Sequence, residues 1–334
     1  MAFFDMGEFL LKRLLLCLLI LLLSMFMIYA LMYSLPSSYV ETTARALATT
    51  PGSMKSAQDW IEELSKQYGF DKGLLGGFIT WGSHAIRGDF GESWIWTVSV
   101  TQKFKDVIWY SFVLSMVAFI LELCIAIPLG VVAAKKQYSA TDYTVTVVSL
   151  IGISLPTFFT ASLLKLAFAM NLRWFDISGM EGRNHLLLSD FGKFLDLAHH
   201  FVLPAITLTI VNIGTLMRHT RTNMLEVLNS DYIRTARAKG VSEKRVINYH
   251  AFRNTLIPLI SVLGSSLPNL FNGALITETI FSIRGIGYTS FHSMMNGDIP
   301  FTMFYLSFIS ILTLLGNLIS DVLYAVVDPR VRIH

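Results

Sequence analysis

Charge is what this 334-residue chain has little of: Asp, Glu, Lys and Arg make up 15% of it, against 53% hydrophobic residues. Soluble domains carry about a quarter charged residues. The deficit, with a mean hydropathy of +0.56, excludes an ordinary soluble globule and indicates an integral membrane protein. A formal net charge of +3 is too small for a nucleic-acid-binding surface, and no nucleic-acid partner is expected. Cysteine is nearly absent. Cys17 and Cys124 both lie inside apolar runs, far apart in sequence, so neither a disulfide framework nor a cysteine metal site is expected and both read as small core hydrophobes. Catalytic signatures are missing as well. No G-x4-G-K-[ST] string is present to wrap backbone amides around phosphates, and there is no H-E-x-x-H. The adjacent His199 and His200 would point about 100° apart on a helix, a poor metal pair. The chain is therefore expected to be no enzyme, with no cofactor and no metal bound by the chain itself.

What is there is long apolar runs bounded by charge. Six spans are expected, at roughly 14–36, 107–134, 143–170, 202–218, 255–281 and 302–327. The first is uncharged and long enough for the roughly 20 residues that cross a bilayer. Lys12 and Arg13 precede it as in a signal peptide, but the run exceeds a signal h-region and no small-residue cleavage site closes it, so a retained span is expected. Between the first and second spans, "SAQDWIEELSKQYG" reads as an amphipathic helix. Ser56 and Asp59 can cap its start, Trp60, Ile61, Leu64 and Tyr68 share a face, and Gly69 can end it. The predicted organisation is an N-terminal segment with the first span over 1–36, a small extracytoplasmic domain over 37–106, and a core of five spans over 107–334.

Cations set the orientation. With the N-terminus in the cytoplasm, the inside segments hold Lys12, Arg13, Lys135, Lys136, Arg218, Arg221, Arg234, Arg237, Lys239, Lys244, Arg245, Arg253, Arg330 and Arg332. The short outside loops hold only Arg173, Arg183, Lys193 and Arg284. The positive-inside rule then places both termini in the cytoplasm. It also puts there the most charged passage, "DYIRTARAKGVSEKRVINYHAFRNTLIP", Asp231 to Pro258. That passage is helical in pattern and longer than a turn requires. Asp231 can start a helix, Gly240 suits a left-handed helix end, and Ser242 with Glu243 can cap a second helix. Two readings stand: a solvated basic loop near anionic headgroups, with each cation contributing about 1 kcal/mol, or a shaped elbow that another protein grips.

The strings themselves resemble a known family. The membrane-spanning subunits of ATP-binding cassette importers carry E-A-A-x3-G-x9-I-x-L-P in this loop. Arg234, Thr235 and Ala236 fall on E-A-A, Gly240 on the Gly and Arg253 on the final Pro. "DYIRTARAKG" and "HAFRNTLIP" look like the oligopeptide/dipeptide permease type, first of its two membrane subunits. "YGFDKGLL", "RGDFGES", "IPLGVVAAKK", "SLPTFF", "LPAITL" and "DPRVR" follow in that family's order. The chain departs from the pattern at "LPSSYVETT", where a Pro-Gly-Asp-Pro-like string is usual, and at "IRGIG", where Arg284 replaces a Pro.

The resemblance implies an all-α membrane protein with six transmembrane helices of the type I importer fold, in a bacterial cytoplasmic (inner) membrane. It implies a permease that forms half of a translocation pathway for oligopeptides or dipeptides, or for nickel chelates, glutathione or another small solute. Its implied partners are a second homologous permease subunit, one or two cytoplasmic ATPase subunits that hold ATP and magnesium, an extracytoplasmic substrate-binding protein, and the lipid bilayer. The segment 219–254 would couple the spans to the ATPase. Ala236, Ala238 and Gly240 would allow close approach, Arg237, Lys239, Glu243 and Arg245 would make polar contacts, and Thr235 and Arg253 belong to the same coupling set.

Polar residues inside spans are functional candidates by default. Glu122, Lys165, Glu278 and Asp321 qualify, either as interhelical hydrogen-bonding groups or as lining of a path. Ser154, Pro156, Asn272 and Glu278 are the expected pathway or gate residues, and Pro128, Pro156 and Pro204 are expected to kink or break spans. An ion-coupled secondary transporter remains the rival reading. It calls for inverted repeats and acids at broken helices, and neither is visible here.

Overall fold

The computed structural model describes residues 2–34, 38–49, 55–68 and 70–327. Pro36, Gly69 and the string 328–332 lie outside them, as do the side chains of Tyr68 and Asp321. Most of the described residues are helical, and among them there is no strand beyond an isolated bridge between Glu92 and Ser99.

One unit comprises 1–107 with 289–315. It contains helices α1 (Ala2–Tyr33), α2 (Ser38–Ala48), α3 (Ala57–Tyr68) and α4 (Gly73–Ala85). It also holds the start of α5 (Val100–Lys135). The expected amphipathic helix is α3, and its start is the capping box that the sequence indicates. The Ser56 hydroxyl accepts from the Asp59 N–H at 3.2 Å, and the Asp59 carboxylate accepts from the Ser56 N–H at 2.9 Å. Trp60, Ile61 and Leu64 turn into a core built on the fully buried Tyr29, with Ile28, Ala44 and Trp81.

The other unit comprises 108–288 with 316–334. After α5 come α6 (Ala140–Ser154), α7 (Thr157–Leu164, continued by a π-helical turn Lys165–Asn171) and α8 (Asp190–Leu228). Then follow α9 (Asp231–Ala238), α10 (Glu243–Arg245, continued by a π-helical turn Val246–Ala251), α11 (Phe252–Ser266) and α12 (Leu275–Phe281). Helix α13 (Ile286–Met295) starts in this unit and α14 (Ile299–Val327) ends in it, while 289–315 between those ends belong to the first unit. Helices α6 and α8 cross closely because two glycines face each other's backbone. A Cβ on Gly214 would lie 2.3 Å from the Ser149 carbonyl oxygen, and one on Gly152 would lie 2.9 Å from that of Ile210.

By length and composition, four helical stretches among the described residues can cross a membrane: Leu11–Tyr33, Val100–Lys135, Asp190–Leu228 and Ile299–Ser320. A fifth is the pair Ala140–Ser154 and Thr157–Asn171, bent by 104°. The bend sits at Leu155-Pro156: Pro156 is in the extended region (φ −60°, ψ 140°), and a proline disfavours helix at the residue before it. Pro128 and Pro204 lie inside the continuous α5 and α8. The expected span at 255–281 is not one helix. Helix α11 stops at Ser266, a 3-10 turn covers Leu267–Leu270, and α12 starts only at Leu275. Pro268 and the Asn272-Gly273 pair interrupt an apolar run that composition alone reads as continuous.

Candidate functional site

The elbow at 219–254 is built by local rules that the sequence carries. Asp231 is the first helical residue of α9, where its charge meets the N-terminal dipole. Helix α9 ends in a Schellman motif. Gly240 sits at φ +77°, its N–H donates to the Arg237 carbonyl at 2.9 Å, and the Val241 N–H donates to the Ala236 carbonyl at 3.2 Å. Ser242 then starts α10 through its backbone carbonyl, which accepts from Arg245 and Val246; its hydroxyl makes no capping bond, contrary to expectation.

One side of the elbow is packed. Ile233, Val246, Ile247 and Ala251 are buried against Ala134 of α5 and Met224 of α8, with Ala236 and Val241 partly covered. The π-helical turn widens the backbone enough to bring Val246, Ile247 and Ala251 onto that one face. The other side is open. Thr235, Arg237, Ala238, Lys239, Gly240, Glu243, Arg245 and Arg253 are exposed, with Tyr232 and Tyr249 among them. Arg237 and Glu243 clasp each other across the Gly240 turn, with Arg237 Nε and one terminal nitrogen donating to the two carboxylate oxygens at 3.1 and 2.8 Å. The guanidinium holds the Glu243 carboxyl below the ordinary glutamate range.

A second device fixes the elbow's base. Asp142, in the first turn of α6, is buried and accepts from Arg221 Nε at 2.6 Å and from a terminal nitrogen of the same guanidinium at 2.8 Å. It also accepts from the Tyr138 N–H at 3.0 Å. The sequence signals half of this, since Ser139 caps Asp142 three residues on. Nothing in one sequence pairs it with Arg221 of α8.

The span polar groups separate into two kinds. Glu278 is fully buried and does not face the cleft: it accepts from the Ser111 hydroxyl at 2.6 Å, the Ala274 N–H at 2.9 Å and the Tyr288 N–H at 2.8 Å. A side chain at Gly285 would collide with it, so Glu278 ties α5, α12 and α13 together. Lys165 donates to the Ile280 carbonyl at 2.8 Å. Glu122 and Asn272, by contrast, line an open cleft of about 460 Å³ with Ser115, Asn212, Thr215 and Asn269. Ser154 and Pro156 lie at the α6–α7 bend and do not line it. A further cluster joins the loop 172–189 to α8: one ring nitrogen each of His199 and His200 and a carboxylate oxygen of Asp176 lie within 4.8 Å of one another.

Comparisons with known proteins cover most of this architecture. Residues 126–333 match the family described as "binding-protein-dependent transport system inner membrane component". The oligopeptide transport system permease protein AppB of Bacillus subtilis is 38% identical over 279 residues, 83% of this chain and 87% of the relative. The di/tripeptide transport system permease protein DppB of Pseudomonas aeruginosa is 35% identical, over 81% and 84% of the two chains. The dipeptide transport system permease protein DppB of Escherichia coli is 33% identical over the same shares.

Proposed function

Because the chain belongs to the binding-protein-dependent transport system inner membrane components, we propose that it is a membrane-spanning permease subunit of an ATP-driven peptide importer. Its six spans would be α1, α5, the bent α6–α7 pair, α8, the broken α11–α12 segment and α14, with both termini cytoplasmic and residues 37–106 outside. It would form half of the pathway in a bacterial inner membrane, beside a second permease of the same family. A cytoplasmic ATPase would grip the elbow, and an extracytoplasmic binding protein would deliver substrate.

The elbow is the observation that carries this reading. A transmitted force needs a part that is stiff towards the spans and accessible on its far side. The buried cluster around Ile233, Val246 and Ile247 supports stiffness, and the exposed Ala238–Gly240 turn supports access. A plain electrostatic anchor needs no such packing. Closure of an ATPase pair can bias a two-state membrane domain only through contacts that differ between the states. Peptide as cargo rests on the names of the relatives, and the cleft lined by the Glu122 carboxyl is where a peptide in transit would pass.

The test is reconstitution. Detergent-solubilised complex is expected to carry a P-loop ATPase, and proteoliposomes are expected to accumulate peptide only with hydrolysable ATP. Transport driven by an ion gradient alone sinks the reading; uptake of nickel chelate or glutathione in place of peptide keeps the machinery and changes the cargo.

A further inference from the structure

We infer that Asp176, His199 and His200 form a site for one divalent transition-metal ion of the zinc class, which pins the 172–189 loop onto α8.

His200 is the anchor of the site. Its side chain is nearly wholly buried, and its Nδ1 lies 2.8 Å from the backbone carbonyl of Asp196. A carbonyl only accepts, so Nδ1 carries a proton, which in the neutral ring leaves Nε2 with its lone pair. That lone pair faces the Asp176 carboxylate oxygen at 3.2 Å. Two acceptors at this distance repel unless a cation lies between or beside them. Imidazole with one nitrogen held by a backbone carbonyl and the other free is the arrangement that metal-binding histidines adopt. His199 is oriented in a similar way: its Nε2 is 3.1 Å from the Trp174 carbonyl and its ring stacks on Phe175 at 4.8 Å.

Space and geometry agree. A pocket of about 10 Å³ is lined by Asp176, His199 and His200 with Phe175, Gly179 and Phe281, which is room for one water-sized ion. Tetrahedral zinc with bonds of about 2.0–2.1 Å separates its ligand atoms by about 3.3 Å. The 3.2 Å between His200 and Asp176 already meets that spacing. The remaining closure, from within 4.8 Å, falls to Asp176 and His199, whose side chains are exposed and can shift. Two imidazoles and a carboxylate suit zinc, nickel or copper rather than magnesium or calcium, and three protein ligands leave a fourth position for water.

The surroundings are built to hold these ligands. Asp196 accepts from the Gly182 N–H at 2.9 Å and pairs with His185 Nδ1 at 2.6 Å, which fixes the turn of α8 that carries His200. The Gly179 N–H donates to the Phe281 carbonyl at 2.9 Å, so the loop that carries Asp176 is also tied to the end of α12. Adjacent histidines diverge on a helix, and these two rings stand at 86°. Asp176, 23 residues upstream of His199, supplies the third ligand that spacing along the helix cannot show.

The experiment uses the full chain, purified in detergent without a polyhistidine tag, stripped with chelator and titrated with Zn²⁺ and Co²⁺. Wild type is expected to take up about one more Zn²⁺ per chain than the His199→Ala/His200→Ala variant, to show visible cobalt absorption, and to melt higher with zinc present. Asp176→Asn, conservative and exposed, keeps the fold and is expected to weaken zinc by at least tenfold, with loss of the melting shift. Equal zinc uptake by wild type and both variants overturns the proposal. So does absence of uptake by wild type, in which case a proton on His200 fills the gap as a simple ion pair with Asp176. Neither result depends on what the protein transports.

Discussion

Asp142 and Arg221 show what one residue pair decides. Their two-pronged bond joins the start of α6 to α8 beside the elbow, with the carboxylate almost wholly covered and the guanidinium one quarter exposed. Removing one partner of a buried pair costs about 3–5 kcal/mol, largely because the survivor stays desolvated and alone, while replacing both by apolar groups is often neutral. Asp142→Ala is thus expected to lower thermal stability in detergent sharply, and Asp142→Leu with Arg221→Met to recover most of the loss. A double variant no more stable than the single one refutes this account. At this scale legibility in the sequence follows the range of the interaction. The Ser56–Asp59 capping box and the left-handed Gly240 were readable because both partners lie within a few residues. The Asp142–Arg221 bond and the Ser111–Glu278–Tyr288 tie were not, since their partners meet only in the folded chain. Glu278 stood out as polar in an apolar run, but that signal is the same for a buried tie as for the lining of a path.

At the scale of elements, two glycines make opposite predictions. Gly240 has φ +77° and open space where a side chain would go, so Gly240→Ala costs only the left-handed backbone penalty, about 1–2 kcal/mol. Gly214 has ordinary helical geometry but no room, and Gly214→Ala drives a methyl into the α6 backbone, with an overpacking cost of about 1–3 kcal/mol or separation of the two helices. Gly240→Asn is expected to recover part of the first loss, because Asn tolerates the left-handed region, and Gly214→Asn to worsen the second. Melting curves of the four variants check the pair, and equal responses at the two positions would falsify it. The elbow's helices were foreseeable from caps and breakers. The break within 255–281 is invisible to hydropathy, which averages over a window and is blind to whether the backbone runs on. Pro268 and Gly273 change the path of the chain without making it less apolar. Pro156 did announce its break, whereas Pro128 and Pro204 are carried inside α5 and α8.

For the whole molecule the exposed apolar surface is the governing fact. Leu14, Leu18 and Leu22 of α1 are each more than half exposed, a pattern that water does not tolerate along a whole helix and lipid does. The orientation inferred from the cations can be measured directly. In a background with Cys17 and Cys124 replaced by serine, Lys239→Cys is expected to react with a membrane-impermeant maleimide only in inside-out vesicles. Arg87→Cys is expected to react only in right-side-out ones. Labelling of both from the same side contradicts the topology. That orientation gives α8 its consequence. At 1.5 Å per residue its 39 residues extend about 58 Å, nearly twice the roughly 30 Å of hydrocarbon. The helix carries His199 and His200 in its first third and Arg221, which holds the elbow's base, in its last third, so in the proposed orientation it would protrude on both faces of the bilayer. A tilt of about 5° swings one tip by about 5 Å relative to the other. In that orientation, events at the inner surface and at the histidines would be strung on a single oar.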